Sequence, residues 1–190
     1  VMTLKVIFEK ETYKILGAQA VGYEGVEKRI DVIATAIFAG LTADKLKDLE
    51  LSYAPPYSSA KDPVNMAGFI IENMKNGIVE QFYYEDIPSL QKRDDITLLD
   101  TRTVYEYMRG HAEGFINIPV DELRERLTEL DKSKPVYVMC QSGLRSYLAT
   151  RILMQNGFDA YNFAGGYRLY GTMYYDEVVS KNAYDCGMEK

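Results

Sequence analysis

Short apolar strands alternate with helical segments from Phe82 onward, and this alternation restricts the fold more than any other feature of the sequence. The predicted strands are FYY, ITLLD, FINIP, PVYVMC and DAYNF, and predicted helices include one through ELRERLTEL and one after Arg145. Strands that are apolar along nearly their whole length are buried on both faces, as in a parallel sheet covered by helices. We therefore predict an α/β domain over residues 79–190, with ITLLD and PVYVM as central strands and a Gly-Gly turn after DAYNF.

The first part of the chain has the pattern of a smaller α+β domain, predicted over residues 1–78. LKVIF and ILGAQAV are predicted strands of a hairpin, TADKLKDLE a short helix, YAPPYSSAKDP a turn-rich loop and PVNMAGFIIENMKNG a longer helix. RIDVIATAIFAG has apolar residues at helical spacing, which predicts a helix that ends at Gly40 and buries one face. The residues of that face are Ile30, Ile33, Ala34, Ile37 and Phe38.

Charge and cysteine content restrict the partners and the compartment. The 22 basic and 28 acidic residues give a formal charge of -6, and no Lys/Arg block stands out, which argues against a nucleic-acid partner. A long apolar segment and a signal peptide are both absent from the sequence, so we expect no membrane partner and a cytoplasmic protein. Two cysteines are too few for a disulfide scaffold, and Cys140 is therefore predicted to be a free thiol.

The stretch CQSGLRS places Cys140 at the junction of a predicted strand and a predicted helix. Backbone N–H groups of such a loop can surround an anion, and the helix dipole and a nearby cation both favour the thiolate form. Cys140 is thus the candidate nucleophile, and the residues that would bind its substrate are Gln141, Ser142, Gly143, Leu144 and Arg145. The alternative is that Cys140 is a small buried residue at the end of a strand.

CQSGLRS resembles the active-site loop of the rhodanese family of sulfurtransferases, in which a cysteine at the start of the loop carries a persulfide. LLDTR, GHAEGFINIP and GGYRLY resemble further stretches of that family, with Tyr170 where a Trp is common, and the likeness covers residues 82–175. The resemblance implies a catalytic Cys140, sulfane-sulfur donors and thiol acceptors as partners, and no metal. Gln141 stands where many rhodaneses have arginine, which disfavours dianionic thiosulfate and favours persulfide or polysulfide donors.

Cysteine phosphatases and arsenate reductases use similar physics, since they also hold an anion between a cysteine, backbone N–H groups and an arginine. Their pattern places one residue more between cysteine and arginine than the four found here. Met139 also stands where those enzymes have histidine. The shorter loop fits a single sulfur atom better than a tetrahedral oxyanion.

Other polar residues near the loop have structural explanations. Asp100 and Arg102 are predicted to form an ion pair at the end of a strand, and Thr103-x-x-Glu106 is a capping box. His111 is the only histidine and hence the only imidazole that could act as a base, but the rhodanese resemblance gives it a structural place. Cys186 has neither a loop nor a cation beside it, although a resolving-thiol role stays open.

Residues 1–78 resemble the C-terminal dimerisation domain of flavin-dependent pyridine nucleotide disulfide reductases, and most closely the coenzyme A disulfide reductase branch. The likeness is strongest in LSYAPPYSSAKDPVNMAGF. It implies a homodimer through residues 1–78, and a parent enzyme with upstream domains that bind FAD and NAD(P)H and that acts with coenzyme A. This chain has no Gly-x-Gly-x-x-Gly fingerprint and begins at Val1, so we expect it to bind neither nucleotide and to derive from a longer protein.

In that branch, tyrosines of the dimerisation domain reach the flavin-side thiol of the partner subunit. Tyr53 and Tyr57, which flank Pro55 and Pro56, match them. Aromatic packing beneath the proline loop explains the same residues equally well, and the resemblance does not decide which tyrosine acts.

Together these features predict the C-terminal part of a coenzyme A disulfide, polysulfide or persulfide reductase whose rhodanese domain carries sulfane sulfur on Cys140. The alternative is a non-catalytic module that dimerises and docks a thiol-bearing partner.

Overall fold

The computed structural model describes residues 2–56 and 58–175, and it separates two units between Ile78 and Val79. In the first unit, β1 (Met2–Phe8) pairs antiparallel with β2 (Ile15–Gly22), which confirms the predicted hairpin. Helix α1 (Val26–Phe38), a 3-10 helix (Ala43–Asp48) and α2 (Pro63–Lys75) follow. The core of this unit consists of Ile15, Ile33, Ala36, Ala43, Leu46, Val64 and Ile71.

The predicted buried face of α1 is partly wrong. Ile33 and Ala36 are buried, but Ala34 and Ile37 are exposed and Phe38 is 94% exposed. Helix α1 packs mainly on β2, with fewer contacts to α2, so a narrow strip of the helix is covered. Its last apolar residues therefore remain on the surface of this unit.

A buried ion pair that the sequence did not predict joins the two helices of this unit. Arg29 of α1 lies 2.7 Å from the carboxylate of Asp62, and both side chains are about nine-tenths buried. Asp62 is also the N-cap of α2 and accepts a hydrogen bond from the Val64 N–H. Arg29 thus links α1 to the start of α2, directly after the proline loop.

The second unit contains the predicted parallel sheet flanked by helices. Its strands are β3 (Glu80–Phe82), β4 (Thr97–Asp100), β5 (Ile116–Asn117), β6 (Val136–Met139) and β7 (Ala160–Phe163). They lie in the order β3-β7-β6-β4-β5, and every pairing is parallel. The helices are α3 (Ile87–Leu90), α4 (Val104–Met108), α5 (Leu144–Gln155) and α6 (Gly166–Met173), with 3-10 helices at Tyr84–Asp86 and Leu127–Glu129.

Alternating side chains of the strands divide the core of this unit between the two faces of the sheet. Leu99, Val136, Val138 and Ala160 pack on one face with residues of α5. Phe82, Leu98, Met139 and Phe163 pack on the other with Ile87, Phe115 and Tyr170. Strand β6 is the middle strand, whereas ITLLD, as β4, lies between β6 and the two-residue β5. Both faces are covered, as the apolar strands required.

Two local predictions in this unit are wrong. The strand predicted as FYY is Glu80–Phe82, and Tyr84 begins a 3-10 helix instead. ELRERLTEL forms turns followed by the short 3-10 helix Leu127–Glu129 rather than an α-helix, with bonds such as Glu125 N–H to Glu122 O and non-helical torsions at Arg126. Arg126 pairs with both Glu122 and Glu129, so the ion pairs of this segment form without a continuous α-helix.

Within residues 2–56 and 58–175, every helix falls short of the length and apolar character that crossing a membrane requires.

Candidate active site

Cys140 directly follows β6 at the carboxyl edge of the sheet, and α5 begins four residues later. Cys140 is 1% exposed to solvent. The Gly143 N–H donates to the Cys140 sulfur over 3.1 Å, and the Ser146 hydroxyl lies 3.3 Å from the same atom. The sulfur is therefore held by one backbone donor and one hydroxyl at the start of α5.

Ser146 contacts the Cys140 sulfur, and the sequence analysis gave this residue no role of its own. It is fully buried, and its oxygen also lies 3.1 Å from the carbonyl of Gly143. A hydroxyl has a single proton, so it is donated either to that carbonyl or to the sulfur. A negatively charged sulfur attracts the proton more strongly than a neutral carbonyl does.

The loop conformation depends on glycine at Gly143. Its φ of 114° lies in the left-handed region, and a Cβ at this position would meet no atom within 4 Å. The requirement is therefore one of backbone conformation rather than of space. Ser142 and Leu144 are exposed, while Gln141 and Arg145 are half-buried.

The start of α6 holds the backbone of the cysteine loop through hydrogen bonds to its carbonyl groups. The N–H groups of Tyr167 and Arg168 donate to the carbonyls of Cys140 and Gln141 over 2.7 and 3.1 Å. A Cβ on Gly166 would come within 2.6 Å of the Gln141 and Ser142 backbone. The predicted Gly-Gly turn is thus also a close contact between two backbones, which the sequence alone did not reveal.

The predicted ion pair between Asp100 and Arg102 is confirmed, and it is buried. Arg102 Nη2 lies 2.6 Å from Asp100 Oδ2 and 2.8 Å from the carbonyl of Gly110. The guanidinium also stacks on the ring of Tyr167, 3.8 Å from its centre. Since the Tyr167 N–H holds the Cys140 carbonyl, this network supports the loop.

Arg145 forms an ion pair with Glu106 that sequence reasoning missed. Its Nη1 and Nη2 atoms each lie 2.7 Å from one carboxylate oxygen, and both side chains are about 30% exposed. Glu106 also completes the predicted capping box with Thr103. The positive charge that we expected Arg145 to add to the loop is therefore paired with a carboxylate.

The electrostatics of the pair follow from these contacts. Hydrogen bonds from Arg145, supported by those from Thr103, lower the pKa of Glu106 to about 2 against the opposing effect of burial. The pKa of Arg145 is raised, chiefly by its hydrogen bonds to Glu106 and further by the nearby charges of Glu106, Cys140 and Asp100. Glu106 is therefore ionised at neutral pH and remains paired with Arg145.

The other candidates lie elsewhere in the structure. His111 is exposed, stacks on Tyr107 and has its Nδ1 3.1 Å from the Tyr107 carbonyl. Tyr53 is 51% exposed and precedes the Pro55–Pro56 turn. Tyr57 and Cys186 lie outside the described residues. Across the part of the chain that the structure describes, acidic, histidine and cysteine side chains form no cluster that could hold a metal ion.

The second unit carries a cysteine loop, closed by an arginine, at the carboxyl edge of a five-stranded parallel sheet. Residues 84–172, which lie in this unit, match the rhodanese-like domain family. Residues 1–63 match the family of the pyridine nucleotide-disulphide oxidoreductase dimerisation domain. The chain thus matches two different families along its length, one over each of these ranges.

Individual proteins with named activities resemble one or both domains. The coenzyme A disulfide reductase of Staphylococcus aureus (strain bovine RF122 / ET3-1) is 50% identical over 66 residues, which are 35% of this chain and 15% of that protein. The crystal structure of reduced Bacillus anthracis CoADR-RHD has a TM-score of 0.89 and 48% identity, covering 93% of this chain and 32% of that one. An NAD-dependent persulfide reductase from A. fulgidus has a TM-score of 0.76 and 44% identity, covering 87% and 29%. This chain therefore spans less than a third of each of these relatives.

Proposed function

We propose that this chain is the sulfur-carrying C-terminal part of a coenzyme A disulfide, polysulfide or persulfide reductase. Residues 79–190 would form the sulfurtransferase domain, with Cys140 as its nucleophile. The observation that carries the proposal is the pair of donors on the Cys140 sulfur, the Gly143 N–H and the Ser146 hydroxyl. Two donors aimed at one sulfur stabilise a thiolate or the terminal sulfur of a persulfide better than a neutral thiol.

The first half-reaction loads the cysteine with sulfur. The Cys140 thiolate attacks the outer sulfur of a donor, a new S–S bond forms, and the S–S bond of the donor breaks. The electron pair of the broken bond leaves with the remainder of the donor, as a thiolate or, from thiosulfate, as sulfite. The loaded Cys140 persulfide is held by backbone N–H groups of Gln141, Ser142, Gly143, Leu144 and Arg145.

The second half-reaction returns the cysteine to its starting state. An acceptor thiolate attacks the outer sulfur of the persulfide, and the bond between the two sulfurs on Cys140 breaks. Its electron pair stays on the Cys140 sulfur, so the thiolate is regenerated and the acceptor becomes a persulfide. Neither half-reaction needs an external oxidant or reductant, since one zero-valent sulfur atom is transferred.

The remaining partners follow from the relatives of the first domain. We infer that residues 1–78 form a homodimer, that FAD, NAD(P)H and coenzyme A act in other domains of a longer protein, and that Tyr53 and Tyr57 approach the thiol of the partner subunit. We expect this chain itself to bind neither a flavin nor a nicotinamide nucleotide, because its sequence has no Gly-x-Gly-x-x-Gly fingerprint. A reducing, cytoplasmic compartment suits the free thiol at Cys140.

The alternative, a module that dimerises and docks a thiol-bearing partner without chemistry, is favoured by one observation, the 1% exposure of Cys140. Cyanolysis separates the two functions, because cyanide removes the outer sulfur of a persulfide as thiocyanate. The protein is first incubated with a sulfane-sulfur donor and freed of excess donor. A sulfurtransferase then releases one equivalent of thiocyanate per chain, whereas a docking module releases none.

A further inference from the structure

The pairing of Arg145 with Glu106 changes the charge that an incoming donor meets. Both terminal nitrogens of the guanidinium are held by the two carboxylate oxygens at 2.7 Å, a bidentate arrangement that is among the stronger hydrogen-bonded pairs. Gln141 is neutral, so Arg145 is the one charged residue within the loop from Cys140 to Arg145. With Glu106 bound to it, the formal charges of these side chains cancel.

Glu106 makes more hydrogen bonds than the capping of α4 requires. The backbone N–H and the hydroxyl of Thr103 both donate to Oε2 of Glu106, each over 2.9 Å. Oε1 receives its hydrogen bond from Arg145. A glutamine at this position could complete the same capping box through a single oxygen. The second oxygen and the negative charge therefore serve the contact with Arg145.

A dianionic donor is disfavoured by this arrangement for two reasons. Its oxygens would have to take the guanidinium from a carboxylate that already satisfies both terminal nitrogens. They would also approach an ionised carboxylate, which repels them. The pKa of Glu106, about 2, keeps this charge present throughout the neutral range.

We propose that Glu106 is a specificity-determining residue that weakens the binding of donors with a sulfonate group, such as thiosulfate, and thereby favours alkyl persulfides. The inference rests on the proposed sulfur transfer at Cys140 and names the class of donor that it uses. An alkyl persulfide carries at most one charge, on the sulfur that is transferred, and needs no cation for a leaving sulfonate. Selection by a repulsive group against one substrate is a common route to specificity.

The test is Glu106→Gln, which keeps the cap and removes the charge. The variant takes the acceptor from Arg145 Nη2 and removes the competing negative charge, so this nitrogen can donate to a sulfonate oxygen. We expect the KM for thiosulfate in the thiosulfate-to-cyanide assay to fall about tenfold, because one charge-assisted hydrogen bond contributes roughly 1.5 kcal/mol or more. The inhibition constant of sulfate, an inert dianion, should fall by a similar factor. Loading by an alkyl persulfide, followed by intact mass in single turnover, should change by a much smaller factor.

Two further variants show whether the effect belongs to this pair. Glu129→Gln breaks the ion pair with Arg126, also 2.7 Å long and in the same unit, and should leave the thiosulfate KM unchanged. The double variant Glu106→Gln, Arg145→Gln removes both charges, so no partly buried charge is left without a partner. It therefore serves as a check if the single variant is unstable. It should lose the gain, since the freed cation is absent.

The outcomes separate this inference from the proposed function. Equal thiosulfate KM and sulfate inhibition in wild type and Glu106→Gln would overturn the role of Glu106, as would a gain that persists in the double variant. If wild-type protein gains no sulfur on Cys140 from either donor, the proposed sulfur transfer itself fails.

Discussion

The Cys140 sulfur is held by the Gly143 N–H and the Ser146 hydroxyl, while the arginine that closes the same loop is held by Glu106. The motif placed Cys140 before a helix and put Gly143 at a tight turn, because both signals are local. The pairing of Arg145 with Glu106 joins residues 39 positions apart, and the capping box already explained Glu106 by a local contact. A local explanation that was correct thus concealed a second, long-range one.

At the residue scale, Ser146→Ala removes the hydroxyl next to the sulfur while it keeps the small buried side chain. We expect the rate of Cys140 loading by an alkyl persulfide to fall about tenfold, since a hydrogen bond to a charged group contributes roughly 1.5–3 kcal/mol. Stopped-time intact mass measures the loading. Ser133→Ala is the matched control, because Ser133 bonds to Asp131 in an exposed turn. An unchanged rate in Ser146→Ala would mean that this hydroxyl bonds to the Gly143 carbonyl during the reaction instead.

At the scale of secondary structure, apolar patterns predicted the buried strands well, whereas the helix predicted over the charged segment ELRERLTEL was wrong. ITLLD, PVYVM and DAYNF became β4, β6 and β7 because buried strands leave little choice of side chain. ELRERLTEL has helical charge spacing but forms turns, since exposed ion pairs contribute only about 0–1 kcal/mol and do not dictate the backbone. The contact between α6 and the cysteine loop was beyond prediction, because a glycine in a Gly-Gly turn gives no sign of the backbone packed against it.

The contact between α6 and the loop can be tested with Gly166→Ala. The new methyl would collide with the loop backbone at 2.6 Å, so we expect both a loss of stability and at least a tenfold loss of sulfur transfer. Gly157→Ala is the matched control, because its φ of 81° is also left-handed but open space surrounds it. The control should lose only the roughly 1–2 kcal/mol of the left-handed conformation and keep its activity. Equal effects of the two substitutions, measured by denaturant unfolding and thiocyanate release, would refute close packing as the role of Gly166.

At the scale of the whole molecule, the first unit leaves apolar side chains on its surface. Phe38, Val21 and Leu16 are 94%, 75% and 59% exposed. A cavity of about 500 Å³ lies beside α1 and is lined in part by Val32, Leu41, Leu49 and Leu51. Exposed apolar surface is typical of protein interfaces, which accords with the dimerisation family that residues 1–63 match.

We therefore predict that the chain is a dimer in solution through its first domain. Phe38→Glu should raise the dissociation constant of the dimer at least tenfold, because it places a charge where we expect the dimer to bury an aromatic ring. Leu148→Glu is the control, since Leu148 is an exposed apolar residue of the second domain, and it should leave association unchanged. Sedimentation velocity over a range of concentrations measures both variants. A wild-type chain that stays monomeric at every concentration would contradict the prediction.

The central claim is that Cys140 carries sulfane sulfur, and intact mass after treatment with a sulfane-sulfur donor tests it most directly. We predict that the wild-type chain gains one sulfur atom that cyanide removes. The gain should be absent in Cys140→Ser and retained in Cys186→Ser, because Cys140 has donors aimed at its sulfur. A cyanide-labile sulfur that persists in Cys140→Ser and vanishes in Cys186→Ser would contradict the account.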